Sequence, residues 1–177
     1  MDRKIVWNDA LRSGLMLGGI SIAYMVVNML LGKLNGGAAV GVLVNVGGVL
    51  LWLFKFYICI RLFKLFMLRF ASAHEGVTNA DSFRFGFATA LLSALLYSAF
   101  YLAWVSFVQP DIFNDAIDLA RETYSNMLTA DQMDSFDELA PKMPGMSFFA
   151  NLIYCTLFGT VLSAIFSRNI PSRNPFE

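Results

Sequence analysis

The sequence predicts an all-α integral membrane protein: four transmembrane helices, with short amphipathic helices in the loop between the third and fourth. Three observations predict it. Four apolar runs recur along the chain, each long enough at 1.5 Å per residue to cross about 30 Å of hydrocarbon. The composition is 57% hydrophobic and 15% charged, with a mean hydropathy of +0.59, where an ordinary soluble domain is about 25% charged. Basic residues gather on one side of the runs, and acidic residues concentrate in one loop. A soluble domain of 177 residues would struggle to hide this much apolar surface, because small domains leave much of their area wet.

The first span is residues 13–32, free of charge between Arg12 and Lys33. It is too long for the apolar core of a cleaved signal peptide, and the small residues Gly37, Ala38 and Ala39 lie beyond Lys33. The second span is expected over 37–60. It runs on into a basic, aromatic stretch that sets Arg61, Lys64 and Arg69 among Phe63, Phe66, Met67 and Phe70. Long basic side chains snorkel towards headgroups, so this stretch is expected to leave the membrane near residue 60 and continue along the interface. A short polar connection, Ser72 to Ser82, ends in Asn79-Ala80-Asp81-Ser82, which offers N-cap residues for the next helix.

The third span is 86–108, halted by Gln109-Pro110 because the residue before proline disfavours helix. Trp104 and Phe107 near one end, and Phe83 and Phe85 near the other, form an aromatic belt at each interface. The fourth span is 146–166. All four belong to one domain, 1–177. Residues 109–145 make its long polar segment, with eight acidic residues against Arg121 and Lys142. Ile112, Phe113, Ala116, Ile117, Ala120, Tyr124 and Met127 recur at helical spacing, with acids on the opposite face. Thr129 to Gln132 has capping-box spacing, and Met133, Phe136 and Ala140 continue a second stripe up to Pro141 and Pro144. Two short amphipathic helices are expected here.

Basic residues set topology better than net charge does. Ten of the thirteen lie on the side of the N-terminus, the connection between spans two and three, and the tail; three lie opposite. Both termini are therefore expected in the cytoplasm of a cell inner membrane, with the acidic segment outside.

Little in the chain looks catalytic. His74, the only histidine, sits beside Glu75 with no metal-ligand spacing nearby, and is expected to be a solvated loop residue. Cys59 and Cys155 lie in apolar runs and read as small apolar residues. Asp131, Asp134 and Asp137 lack calcium-loop spacing and read as a solvated face. No enzyme activity, metal or cofactor is expected. Asn28, Asn45, Lys55 and Asn151 are the candidate polar residues inside the spans. The asparagines suit bonding between helices, and Lys55 is expected close enough to the cytoplasmic surface to snorkel. Gly14/Gly18, Gly37/Gly41, Gly159/Ser163 and the series Ala90, Ala94, Ser98 carry small-residue spacings that suit close helix packing. Gly47-Gly48 marks a kink or a close crossing.

Gly76-Val77-Thr78, then Phe83, Phe85-Gly86-Phe87 and a long helix ending at Pro110, carry a resemblance over nearly the whole chain. They resemble the central signature of the bacterial domain-of-unknown-function family 4199. The resemblance implies four spans, a basic loop after the second, a variable segment before the fourth, and a bacterial inner membrane. It implies no activity and no site residues.

The leading functional expectation is a non-enzymatic interaction or accessory subunit that uses the acidic segment, with Ile112, Phe113, Ile117, Tyr124 and Phe136 as candidate partner-binding residues. Arg61, Lys64 and Arg69 are candidate contacts for lipid headgroups. The partners implied are membrane lipids and a membrane protein or a second copy, and no nucleic acid. The alternative is a small oligomeric transporter or channel lined by Asn28, Asn45, Lys55, Tyr97 and Tyr101.

Overall fold

A computed structural model describes residues 3–32, 38–124 and 138–170, with side chains from 4–32, 41–124 and 138–170. Four long helices dominate: α1 (Arg3–Gly32), α2 (Ala38–Ala73), α3 (Asn79–Phe107) and, after the shorter α4 (Ile112–Tyr124) and a 3₁₀ turn at Ala140–Lys142, α5 (Met143–Asn169). No strand occurs among the described residues. The four long helices are each long and apolar enough to cross a membrane. Each outruns its charge-free core, because charges are tolerated at helix ends that reach the headgroups. The second amphipathic helix expected near Phe136 falls outside the described residues.

α3 is the spine of the bundle. It packs most extensively against α5 and α1, and α2 is joined mainly to α1. Glycine and serine bring α3 and its neighbours together. Gly86 faces Ser163 so closely that an added Cβ would overlap the serine hydroxyl, and Gly159 does the same to the Cβ of Ala90. On the other side an added Cβ on Gly14 would lie 2.9 Å from Leu92 Cβ and 3.1 Å from the Thr89 carbonyl. Gly18 closes on Leu96 in the same way. The small-residue spacings on α1, α3 and α5 thus lie at contacts within one chain. On α2, an added Cβ on Gly41 meets nothing within 4 Å among the described residues, and Gly37 is not described.

The core is concentrated at one end of the bundle, the basic end, where Val6 and Ala10 of α1 meet Phe63, Met67 and Phe70 of α2, Phe85 and Ala88 of α3, and Ile170. Phe70 stacks on Phe85 at 4.3 Å, and Phe63 meets Phe166 at 6.3 Å. The basic aromatic stretch of α2 contributes one face to that core. Phe63, Met67 and Phe70 share a stripe buried in the core, while Arg61, Lys64 and Arg69 point outward.

The basic end is tied together by polar contacts. Thr78 is the N-cap of α3: its hydroxyl accepts from the Asp81 backbone, and Asp81 accepts in return from the Thr78 backbone at 3.3 Å. The cap is one residue earlier than the Asn79–Ser82 stretch expected to supply it. The Asn79 amide, with its nitrogen turned towards them, donates to the carbonyls of Ser167 and Ile170 at 3.1 and 3.0 Å, which satisfies carbonyls left open at the end of α5. His74 is not simply solvated. Its Nε2 lies 3.0 Å from Asp9 Oδ2 of α1, and its ring meets the edge of Phe70. At the other end, α3 stops at Phe107. The amides of Val108 and Gln109 both donate to the Trp104 carbonyl, and the Trp104 indole donates to the Gln109 side chain at 3.2 Å.

Candidate functional site

Lys55 is the first charged residue along α2, flanked by Phe54 and Phe56. Helical spacing places Trp52, Lys55, Cys59 and Phe63 along one face. That face meets three stripes of the same period: Leu17 and Ser21 of α1, Ala90 and Ala94 of α3, and Cys155, Gly159 and Leu162 of α5. Together they enclose a hollow of about 160 Å³, largely apolar, with Lys55 in its wall. Glycine and alanine at positions 90, 94 and 159 leave the room, since larger residues there would fill it.

The ammonium of Lys55 lies over two tyrosine rings, 5.4 Å from the centre of Tyr24 and 5.9 Å from that of Tyr97. Both tyrosines continue the stripes above: Tyr24 follows Ser21 on α1, and Tyr97 follows Ala94 on α3. Along α1, Tyr24 is about 18 Å from Arg12 and about 12 Å from Gly32; along α3, Tyr97 is about 20 Å from Arg84 and about 15 Å from Phe107. The charge therefore sits deep in the bundle, away from the basic end.

Placing lysine at the centre of a membrane helix costs about 2.5–3.5 kcal/mol on insertion scales. A cation–π contact returns about 0.5–2 kcal/mol, the upper figure when desolvated. Two such contacts roughly offset the cost, so the cluster is tenable without an ion pair. Among the described residues no carboxylate pairs with Lys55.

A second, more open hollow of about 370 Å³ lies further from the basic end, between α1 and α2. Tyr24, Asn28, Asn45, Gly48 and Trp52 border it. Asn28 reaches towards α2 where Gly48 has no side chain: an added Cβ would lie 3.3 Å from its Oδ1. Trp52 borders both hollows. The structure thus sets Asn28 and Asn45 at one hollow and Lys55 at the next, with Trp52 bordering both. Tyr97 joins them through Lys55, and Tyr101 lies 6.4 Å beyond Tyr97. Tyr24, which sequence reasoning passed over, joins the two halves. Asn151 is half-buried on α5 and borders neither hollow.

The other candidates are placed as follows. Arg61, Lys64 and Arg69 are exposed; Arg61 lies over Tyr57 and Lys64 over Phe166, with Arg69 beside Asp9 and Arg12 at the basic end. Ile117 is 6% exposed, so it faces the protein and is not free to meet a partner. Ile112 and Phe113 are half-buried, and Tyr124 is exposed. Phe136, Asp131, Asp134 and Asp137 lie outside the described residues. Cys59 and Cys155 are free thiols bordering the Lys55 hollow. No three histidine, cysteine or acidic residues gather at metal-binding distance among the described residues.

No curated protein and no solved structure matches the chain. A family profile matches residues 12–168, which takes in nearly all of the four-helix bundle. The chain is a multi-pass, all-helical membrane protein and belongs to the DUF4199 family, whose members are described as proteins of unknown function.

Proposed function

We propose that this is a non-enzymatic inner-membrane protein with both termini in the cytoplasm, serving as an interaction or accessory subunit that meets its partner through the acidic segment outside. One observation carries the reading. α4 turns Ile117 inward and keeps Asp115, Asp118 and Glu122 exposed, with Asp111 exposed in the turn before it. Leu119 and Tyr124 stand beside these acids, 64% and 52% exposed. A fixed helix that mixes acids with exposed large apolar residues suits a protein partner better than it suits water alone. The ten-to-three distribution of basic residues supports the orientation. Affinity purification of the full chain in mild detergent tests the proposal. A specific copurifying protein is expected, and it is lost when Asp115, Asp118 and Glu122 become Asn, Asn and Gln. A chain that always purifies alone, or a partner indifferent to those changes, rejects it.

A second reading, a small oligomeric transporter or channel, is supported by a run of polar groups, with Asn28 and Asn45 at a hollow beside Tyr24, Lys55 over Tyr24 and Tyr97, and Tyr101 beyond Tyr97. Uptake or conductance in vesicles that depends on Lys55 would favour it over the first.

A further inference from the structure

We propose that the hollow beside Lys55 is a binding site for a single-chain amphiphilic carboxylate, a fatty-acid type of molecule, entered sideways from the lipid between α2 and α5. The proposal is independent of the acidic-face reading, since the hollow is lined by α1, α2, α3 and α5 and by no residue of α4.

Three features point to this ligand class. The first is charge. Lys55 is held by the faces of Tyr24 and Tyr97, and no carboxylate among the described residues pairs with it. A cation in apolar surroundings gains most from one opposite charge at hydrogen-bond distance. One ammonium matches one carboxylate.

The second is the wall. Apart from Lys55, the hollow is bordered mainly by hydrocarbon and aromatic groups, among them Leu17, Phe63, Ala94 and Leu162. Such a wall holds a chain and rejects a hydrated ion. At about 160 Å³ it accepts a small head and a few methylenes, so the rest of the chain must leave through an opening. A phospholipid would have to bring its glycerol and two tails into the same space.

The third is the way in. α2 and α5 touch little, and four aromatic residues stand at their divide, all exposed: Trp52, Phe56, Tyr154 and Phe158. Trp52 stacks on Phe56 at 5.6 Å, and Phe56 meets Phe158 at 5.5 Å. Their exposed faces turn towards the surroundings of the bundle, where lipid chains lie. A ligand dissolved in the membrane reaches Lys55 by this route.

The test uses the full chain in nanodiscs of phosphatidylcholine. The probe is a palmitic-type acid with a diazirine in mid-chain; its methyl ester and a photoreactive phosphatidylglycerol serve as comparisons. The acid should label residues around Trp52, Phe56, Tyr154 and Phe158, saturably, and unlabelled acid should compete. The ester should label them weakly. Lys55→Met should weaken the acid's apparent affinity about tenfold or more, as loss of a charge-assisted contact predicts; Lys55→Arg should retain it. Equal labelling by acid and ester overturns the proposal, and that comparison needs no variant to fold. So does a helical, monodisperse Lys55→Met protein that binds the acid like the unaltered chain. Saturable labelling by phosphatidylglycerol without the acid also overturns it, and makes the occupant a phospholipid.

Discussion

Replacing Gly86 with alanine adds one methyl group at the tightest point of the bundle. The new Cβ would overlap the Ser163 hydroxyl, lie 3.0 Å from the Ser163 Cβ and stand 3.3 Å from the end of Met67. Met67 can bend away. Ser163 cannot, because its hydroxyl donates to the Phe83 carbonyl at 3.1 Å and it is fully buried. Overpacking of this kind costs about 1–3 kcal/mol. Losing the hydroxyl's bond adds about 0.6 kcal/mol, the mean for such bonds in membrane bundles. Alanine regains about 1 kcal/mol through its better helix propensity. The net expectation is a loss of about 0.6–2.6 kcal/mol. Gly19→Ala is the matched control, since nothing lies within 4 Å of its added Cβ; it should be neutral or gain up to about 1 kcal/mol. The assay is unfolding of the full chain in mixed micelles titrated with a denaturing detergent, followed by far-ultraviolet circular dichroism. Ser163→Ala removes the overlapped atom, so the double substitution should recover part of the loss and show a coupling of about 0.5–3 kcal/mol. A Gly86→Ala protein as stable as Gly19→Ala would refute the α3–α5 packing described above.

Three further expectations follow from the same geometry. Gly14→Ala should destabilise more than Gly18→Ala in the same titration, because Gly14 abuts the Thr89 backbone and Gly18 abuts the movable end of Leu96; equal losses would contradict this. Ser98 is fully buried, and its hydroxyl has no hydrogen-bond partner among the described residues, so Ser98→Ala should leave stability unchanged or raise it by up to about 1 kcal/mol. A clear loss would show that the hydroxyl is used. Thr78→Ala removes the α3 cap and should cost about 1 kcal/mol; hydrogen exchange should then quicken at the amide of Asp81 before it does in mid-helix.

Much of the fold is legible in the residues, for a physical reason. A charge in hydrocarbon is costly, so spans show as gaps in the charge pattern, and Arg12 and Gln109-Pro110 mark their edges plainly. The small-residue spacings at Gly14/Gly18 and Gly159/Ser163 mark close contacts, though spacing alone does not say which helix answers which. That Gly86 faces Ser163 depends on the vertical register of α3 and α5, which periodicity along one helix does not encode. The same limit hid the Lys55 cluster. Tyr24, Lys55 and Tyr97 lie on three helices and become neighbours only because each sits at one level of the bundle. His74 and Asp9 are likewise 65 residues apart. Past residue 60, Arg61, Lys64 and Arg69 mark the exposed face of α2. Phe63, Met67 and Phe70 recur at helical spacing on the other face, and that stripe is the signature of a helix buried on one side. In α4 the apolar stripe alone does not tell a partner surface from internal packing, and Ile117 is spent on the protein's own packing.

The proposed outward placement of α4 requires four crossings with α4 opposite the termini. Reporter fusions measure this directly in a bacterial host. A fluorescent protein fused after Gly76 or after Ile170 should fluoresce, and alkaline phosphatase fused after Asp115 should be active, with the reverse fusions silent. Phosphatase activity after both Gly76 and Asp115, or after neither, would place the α2–α3 turn and α4 on the same side and contradict the account.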